Sequence, residues 1–311
     1  MTRRRLLSIA LGVAAVVAVA LIVGAEPFVR GFAAVSPGAI VAAMLLTALS
    51  TAAAATRWHA VAGGLGLRLE WTAAVAAYYR SQFLNSVVPG GVVGDVHRAY
   101  RHGRESGDMA LAIRAVATER IAGQVVQFAL MAAVLASLGL TSSLSGMAVV
   151  VGAILIVAGI ASAVAVATAR GRRVLRRELA VLRRVFSDPR RTLVVGGSSV
   201  VVVGSLAATF VVACLATGVQ ASIPDLVALA LVALAAASLP LNIGGWGPRE
   251  ATAASAFALV GLGAEAGVAA STAFGVLSLI AVAPGAVVLL ADRIAAARSA
   301  VPGTVHEEVS A

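Results

Sequence analysis

Six apolar runs of 19 to 26 residues divide the chain, and they constrain its fold more than any other feature of the sequence. They cover residues 6–24, 38–56, 121–140, 147–168, 192–217 and 266–291. At ~1.5 Å of rise per residue, a helix of ~20 apolar residues crosses the ~30 Å hydrocarbon core of a bilayer. Because the backbone finds no water there, such segments must be helical. The sequence predicts an all-α polytopic integral membrane protein with about six full crossings.

Composition supports this class and limits the chemistry. Hydrophobic residues make up 60% of the chain and charged residues 12%, which no soluble globular domain requires. The net charge of +10 comes entirely from arginine, the better bidentate partner of phosphate. The single cysteine, Cys214, excludes a disulfide framework, and the four histidines have no metal-ligand spacing. We therefore expect no metal and no cofactor.

The arginines predict the orientation of the chain. Residues 2–5 precede the first run, which is longer than the ~7–15 residues of a signal-peptide core and lacks a convincing cleavage site. We interpret it as a first crossing with a cytoplasmic N-terminus. Residues 26–37 then form an outer loop, and Arg57 and Arg68 mark a cytoplasmic segment. Arg293 predicts a cytoplasmic C-terminus, so the protein is expected in the cell membrane.

A basic segment separates the fourth and fifth runs. Residues 170–191 contain nine arginines and two acidic residues, with Leu175, Leu179, Leu182 and Phe186 on the opposite face. This pattern predicts a cytoplasmic amphipathic helix that lies on the anionic leaflet or docks a protein partner. Because this segment lies between two membrane helices, we do not expect it to bind nucleic acid.

Two stretches break the membrane pattern. Apolar segments 225–239 and 251–263 flank a Gly- and Pro-rich turn, and 13 to 15 residues reach only ~20–22 Å. Such broken or re-entrant helices mark binding sites in transporters. Arg249 and the free backbone N–H groups at the start of the helix that follows the turn could bind a phosphate or carboxylate. Alternatively, the stretch is a tight turn at the membrane surface with Arg249 solvated or paired to Glu250.

The first break is more polar. Residues 71–88 end at Pro89-Gly90-Gly91, and Asp95, Arg98 and His102 follow on one helical face. These residues could equally belong to a charged cytoplasmic helix. Glu119 and Arg120 are either interfacial anchors or the wall of a polar cavity. The breaks give six to eight transmembrane segments and suggest an inverted repeat, 1–140 and 146–292, within one domain, 1–311.

These stretches carry a resemblance to a known family. Residues 83–100 (FLNSVVPGGVVGDVHRAY), 118–120 (TER) and 239–251 (LPLNIGGWGPREA) resemble signatures of the lysylphosphatidylglycerol synthase transmembrane family, also called the flippase-like domain family. One branch moves aminoacylated phosphatidylglycerol between leaflets and carries a soluble domain that makes it. This chain offers no room for that domain, so we expect no aminoacyl transfer. The resemblance implies a lipid-headgroup cavity lined by Asn85, Asp95, Arg98, Glu119, Arg120, Asn242, Arg249 and Glu250.

Three functions remain open at this point. The first is a translocase of phospholipid or lipid-linked glycan, driven by an ion gradient or passive, since no ATP-binding loop is evident. The second is an intramembrane enzyme, which we do not expect because no nucleophile has an evident base. The third is a non-transporting membrane subunit that binds lipid or anchors a partner such as a glycosyltransferase. The oligomeric state is not encoded in any pattern here.

Overall fold

The computed structural model describes residue 21 and residues 24–88, 91–138, 169–238 and 246–299. The predicted crossing 147–168 and Asn242 lie outside these residues, as does the predicted crossing 6–24 except for residues 21 and 24. The described helices, in chain order, are α1 (Glu26–Ala33), α2 (Pro37–Gly64), α3 (Trp71–Val87), α4 (Val93–Ser106), α5 (Met109–Ser137), α6 (Ala169–Phe186), α7 (Pro189–Ala216), α8 (Ile223–Ala237), α9 (Pro248–Leu259), α10 (Ala264–Ala281) and α11 (Pro284–Ser299).

Among the described residues, four segments are long and apolar enough to cross a membrane. They are α2, α5, α7 and the stretch Ala264–Ile294, which contains α10 and most of α11. A helix of 28 residues is ~42 Å long, more than the ~30 Å of hydrocarbon. The protein is therefore an all-α polytopic membrane protein, as the sequence predicted. The helices α2 and α7 pack along each other, and residues 228–235 of α8 are all buried.

Three helix boundaries differ from the sequence prediction. The helix that contains the predicted crossing 121–140 begins earlier, at Met109. Gly107 ends α4 with φ 75°, and Asp108 caps α5 by accepting from Leu111 N at 2.9 Å. The helix α2 does not end before Arg57 but continues to Gly64. The expected outer loop 26–37 contains the helix α1, which packs on α10.

The last predicted crossing, 266–291, is two helices rather than one. A turn at residues 282–283 separates α10 from α11, and Pro284 opens the second helix because it lacks the N–H that continuation would require. Gly285 lets α11 approach α3, since a Cβ there would collide with the carbonyl oxygen of Tyr79. This approach brings Asp292 to the charged residues of α3 and α4.

The basic segment is a helix, α6, but it is shorter than the predicted 170–191. Asp188 caps the next helix by accepting from Arg190 N, so residues 190–191 belong to α7. The face of α6 that meets the bundle is built on Val181 and fully buried Val185, whereas Leu179 is 43% exposed. This part of the apolar face thus packs on protein rather than on lipid.

Both breaks are pairs of short helices in contact with each other. In the first break α3 packs on α4, and in the second α8 packs on α9. Each pair is followed along the chain by a longer membrane segment. The order long helix, broken pair, long helix therefore occurs twice, and the inverted repeat stays a prediction.

Candidate functional site

A buried carboxylate, Glu119, is the centre of a charged cluster in the first half of the protein. It lies on the inward face of α5, one turn after Ala115 and one turn before Gly123. Its Oε1 accepts from Arg57 Nε on α2 at 2.7 Å and from the hydroxyl of Tyr78 on α3. A buried carboxylate is tolerated only when such partners replace its hydration.

The second carboxylate, Asp95, ties the break to α5. It accepts from Arg98 Nη2 at 2.9 Å and from Arg120 Nη2 at 2.7 Å. Asn85 Nδ2 donates to it at 3.2 Å, and Asn85 Oδ1 accepts from Gly94 N at 2.7 Å. Burial tends to raise the pKa of Asp95, but Arg120 and Arg98 outweigh burial and hold this pKa below its usual range. Asp95 is therefore a stable anion that fixes the start of α4.

Arg98 connects the two carboxylates. Its Nη2 donates to Asp95 and, at 3.1 Å, to Glu119, while its guanidinium lies 4.1 Å from the ring centroid of Tyr78 and 4.5 Å from that of Trp58. In the described part of the chain, its buried Nε and Nη1 have no hydrogen-bond partner. We name this group of residues the Glu119 cluster: Arg57, Tyr78, Asp95, Arg98, Glu119 and Arg120. Its three arginines and two carboxylates give a formal charge of +1.

Arg120 is the member of the cluster that reaches the surface. Its side chain is 45% exposed, although it is paired with Asp95. Its neighbour Ile121 is 58% exposed and Val125, one turn further along α5, is 62% exposed. On a membrane helix, an exposed apolar face contacts lipid. Arg120 therefore connects the charged interior of the protein to an exposed, largely apolar surface of α5.

Arg249 and Glu250 form a separate cluster at the start of α9. Arg249 Nε donates to Glu250 Oε1 at 3.0 Å and to Ser271 Oγ at 2.9 Å, and all three side chains are buried. Glu250 Oε2 accepts from Gly247 N at 2.6 Å. The helix start that could seat an anion is thus occupied by the protein's own carboxylate. The alternative pairing of Arg249 with Glu250 is what the structure contains, but inside the protein rather than at its surface.

Five of the eight predicted site residues come together at the first break. They are Asn85, Asp95, Arg98, Glu119 and Arg120. Arg249 and Glu250 are elsewhere, since the contacts that the structure describes for them involve no member of the Glu119 cluster.

The sequence interpretation missed Arg57, which it assigned to a cytoplasmic segment. Arg57 is buried, contacts Glu119 and donates from Nη1 to Ser199 Oγ on α7 at 3.1 Å. The available signal was helical spacing, because Arg57 follows Ser50 and Ala54 on the inward face of α2. Tyr78 carried no comparable signal, since a tyrosine in an apolar helix is typical of any core.

The fold and the buried charges define a multi-pass membrane protein with a polar interior built around broken helices. The chain belongs to the family described as "Lysylphosphatidylglycerol synthase TM region", whose model matches residues 5–285. It is thus a membrane protein of the flippase-like type. No curated protein and no solved structure matches the chain.

Proposed function

We propose that this protein binds the anionic headgroup of a membrane lipid, a phospholipid or a lipid-linked glycan, at the α3–α4 break and moves that lipid between leaflets. Membership of a lipid-related membrane family supports the class of ligand. The observation that carries the proposal is Arg120, a member of the charged cluster whose side chain is also 45% exposed beside the exposed apolar residues Ile121 and Val125 of α5.

A headgroup phosphate can replace Asp95 as the partner of Arg120. Carboxylate and phosphate both accept two parallel N–H bonds from a guanidinium, so exchange between them requires little reorganisation. The cluster carries one more positive than negative charge, which favours an incoming anion. The Asp95 carboxylate competes with the bound lipid and so allows its release.

Three expectations belong to this proposal. The protein acts without covalent chemistry and is not an enzyme. It resides in the cell membrane with both termini in the cytoplasm, as the arginine distribution predicts. Translocation proceeds by movement of one half of the protein against the other around the broken helices.

The test compares two arginines of α5 that each pair with a carboxylate. Arg120 pairs with Asp95, and the control Arg114 pairs with Glu178 of α6, outside the cluster. Purified wild type, Arg120→Gln and Arg114→Gln are compared by native mass spectrometry and by a fluorescent-lipid flip assay in proteoliposomes. We expect Arg120→Gln to retain and flip an anionic lipid about 10-fold less well, and Arg114→Gln to match wild type. Equal lipid retention by all three proteins contradicts headgroup binding at Arg120.

A non-transporting subunit remains the second candidate because α6 presents exposed arginines, among them Arg176, Arg177 and Arg183. These side chains suit an acidic protein surface or an anionic leaflet. Wild-type protein that retains lipid specifically through Arg120 but flips none in proteoliposomes supports this candidate over the translocase.

A further inference from the structure

A cavity of about 120 Å³ is lined by Arg98 together with residues that lie outside the Glu119 cluster. It opens between the end of α2, the first half of α3, the second half of α4 and α11. Its apolar wall comes largely from alanines of α3, with Leu69 and Val288. Its polar wall has five residues that can donate, Trp58, Arg80, Arg98, Arg101 and His102, and two carboxylates, Glu105 and Asp292.

Several buried nitrogen atoms of residues that line this cavity have no hydrogen-bond partner among the described residues. They are Trp58 Nε1, Arg80 Nε, Arg98 Nε, Arg98 Nη1 and His102 Nε2. The four residues that carry these atoms are at most 4% exposed. A buried N–H without an acceptor costs roughly 1–3 kcal/mol, and more when it is charged. Four of the five atoms can only donate, so the residues around the cavity have unused capacity to bind an acceptor with several oxygens.

Asp292 of α11 partly supplies that acceptor. A single carboxylate oxygen, Oδ2, accepts from Arg80 Nη1 and, at 2.6 Å, from Arg101 Nη1. Arg101 also donates from Nε to Glu105 Oε1 at 3.0 Å. One carboxylate oxygen thus holds the guanidinium groups of two helices, α3 and α4. Asp292 does not accept a hydrogen bond from Trp58 Nε1 or from Nε and Nη1 of Arg98.

We propose that this cavity binds a phosphate-like oxyanion through Arg80, Arg98 and Arg101, with Asp292 as the internal counter-ion that the ligand displaces. The oxyanion is either free phosphate or the phosphate of a lipid headgroup. Tetrahedral phosphate offers several acceptor oxygens in different directions, which suits arginine donors that come from two helices, α3 and α4. The volume far exceeds the ~10–15 Å³ that one water requires.

This site is distinct from lipid binding at Arg120. Arg80, Arg101 and Asp292 do not belong to the Glu119 cluster, and oxyanion binding here requires no lipid translocation. The two sites share Arg98, which donates to Asp95 and Glu119 and also lines the cavity. An oxyanion in the cavity and a headgroup at Arg120 can therefore influence each other through this guanidinium.

The first experiment titrates inorganic phosphate into the full-length protein in detergent, by calorimetry at constant ionic strength. We expect Arg101→Gln to weaken phosphate binding about 10-fold, because one charge-assisted donor is lost. Asp292→Asn removes the competing anion and should strengthen binding several-fold, a gain that no misfolded variant can mimic. The control is Arg104→Gln, an exposed arginine of α4 that does not line the cavity, and it should bind as wild type does.

A second arm distinguishes the source of the oxyanion. The same four proteins are placed in phosphatidylcholine nanodiscs with or without phosphatidylglycerol, and the retained lipid is measured by native mass spectrometry. Binding of either probe that falls in Arg101→Gln and rises in Asp292→Asn supports the site, and the probe that responds identifies free phosphate or headgroup. If neither probe responds to these two substitutions, the cavity holds water only and the proposal is wrong. These binding measurements do not depend on lipid translocation. If Arg120→Gln flips lipid as well as wild type does, the proposed function is wrong, but the oxyanion site can still be tested.

Discussion

Arg57 on α2 occupies the space that a side chain at Gly123 on α5 would need. A Cβ at position 123 would lie 2.5 Å from Arg57 Nη1. Gly123 follows Glu119 by one turn, so the glycine admits the guanidinium to its carboxylate. The second cluster has the same arrangement, because a Cβ at Gly275, one turn after Ser271, would lie 2.6 Å from Arg249 Nη2. In both halves of the protein a glycine on a membrane helix makes room for a buried arginine.

Gly123→Ala should destabilise the protein by about 1–3 kcal/mol, because the new methyl group forces Arg57 away from Glu119. The measurement is thermal unfolding of the purified protein in detergent. The control is Gly197→Ala in α7, where a Cβ meets nothing within 4 Å and the helix gains propensity. A Gly123→Ala protein as stable as the control would contradict the packing described here.

Glu119→Gln should lower the free energy of unfolding by about 3–5 kcal/mol, more than a surface substitution does. It leaves Arg57 and Arg98 buried without their shared carboxylate. The second substitution Arg57→Gln, made in the same protein, removes one of the stranded charges and should recover part of the loss. Strict additivity of the two changes in unfolding measurements would show that the pair is not coupled.

Gly275→Ala should destabilise the second cluster by a similar amount, and its effect should add to that of Gly123→Ala. Additivity to within about 0.5 kcal/mol is expected for sites that share no partner. The double variant and both single variants are compared by the same unfolding assay. A larger coupling energy would mean that the two breaks form one connected site.

His102 should make the protein less stable in mild acid. Burial lowers the pKa of His102, and Arg98 lowers it further, although Glu105 opposes them. As pH falls below the unfolded value of about 6.5, the unfolded chain takes up a proton before the folded protein does, so stability decreases. We expect His102→Gln to show a smaller drop in melting temperature between pH 7.5 and pH 5.5. Identical pH profiles would exclude this contribution.

Much of the first break was predictable. The residues Asp95, Arg98 and Glu119 stand out in the sequence because a charge inside an apolar chain is costly and needs a reason. The breaks themselves follow from glycine and proline, whose effects on a helix are local. Helical spacing extended backwards from residue 121 would also have placed Glu119 on the inward face with Ala112 and Ala115.

The partners of these residues were not predictable in the same way. The contact between Arg57 and Glu119 joins positions 62 residues apart, and that between Arg80 and Asp292 joins positions 212 apart. Positive-inside reasoning treats an arginine near the end of an apolar run as a marker of the cytoplasmic side. The rule has no means of recognising a carboxylate that another helix brings to the same depth.

The sequence by itself determined the membrane class, the family, the four long described segments and the positions of both breaks. These follow from length, hydropathy and local backbone chemistry, which act within a few residues. Only the tertiary structure decided that Arg57 is interior, that Arg249 is neutralised by Glu250, and that Asp292 lies at a cavity with Arg80 and Arg101. Such pairings depend on which helices pack together and how closely, and here glycines such as Gly123 and Gly285 set that distance.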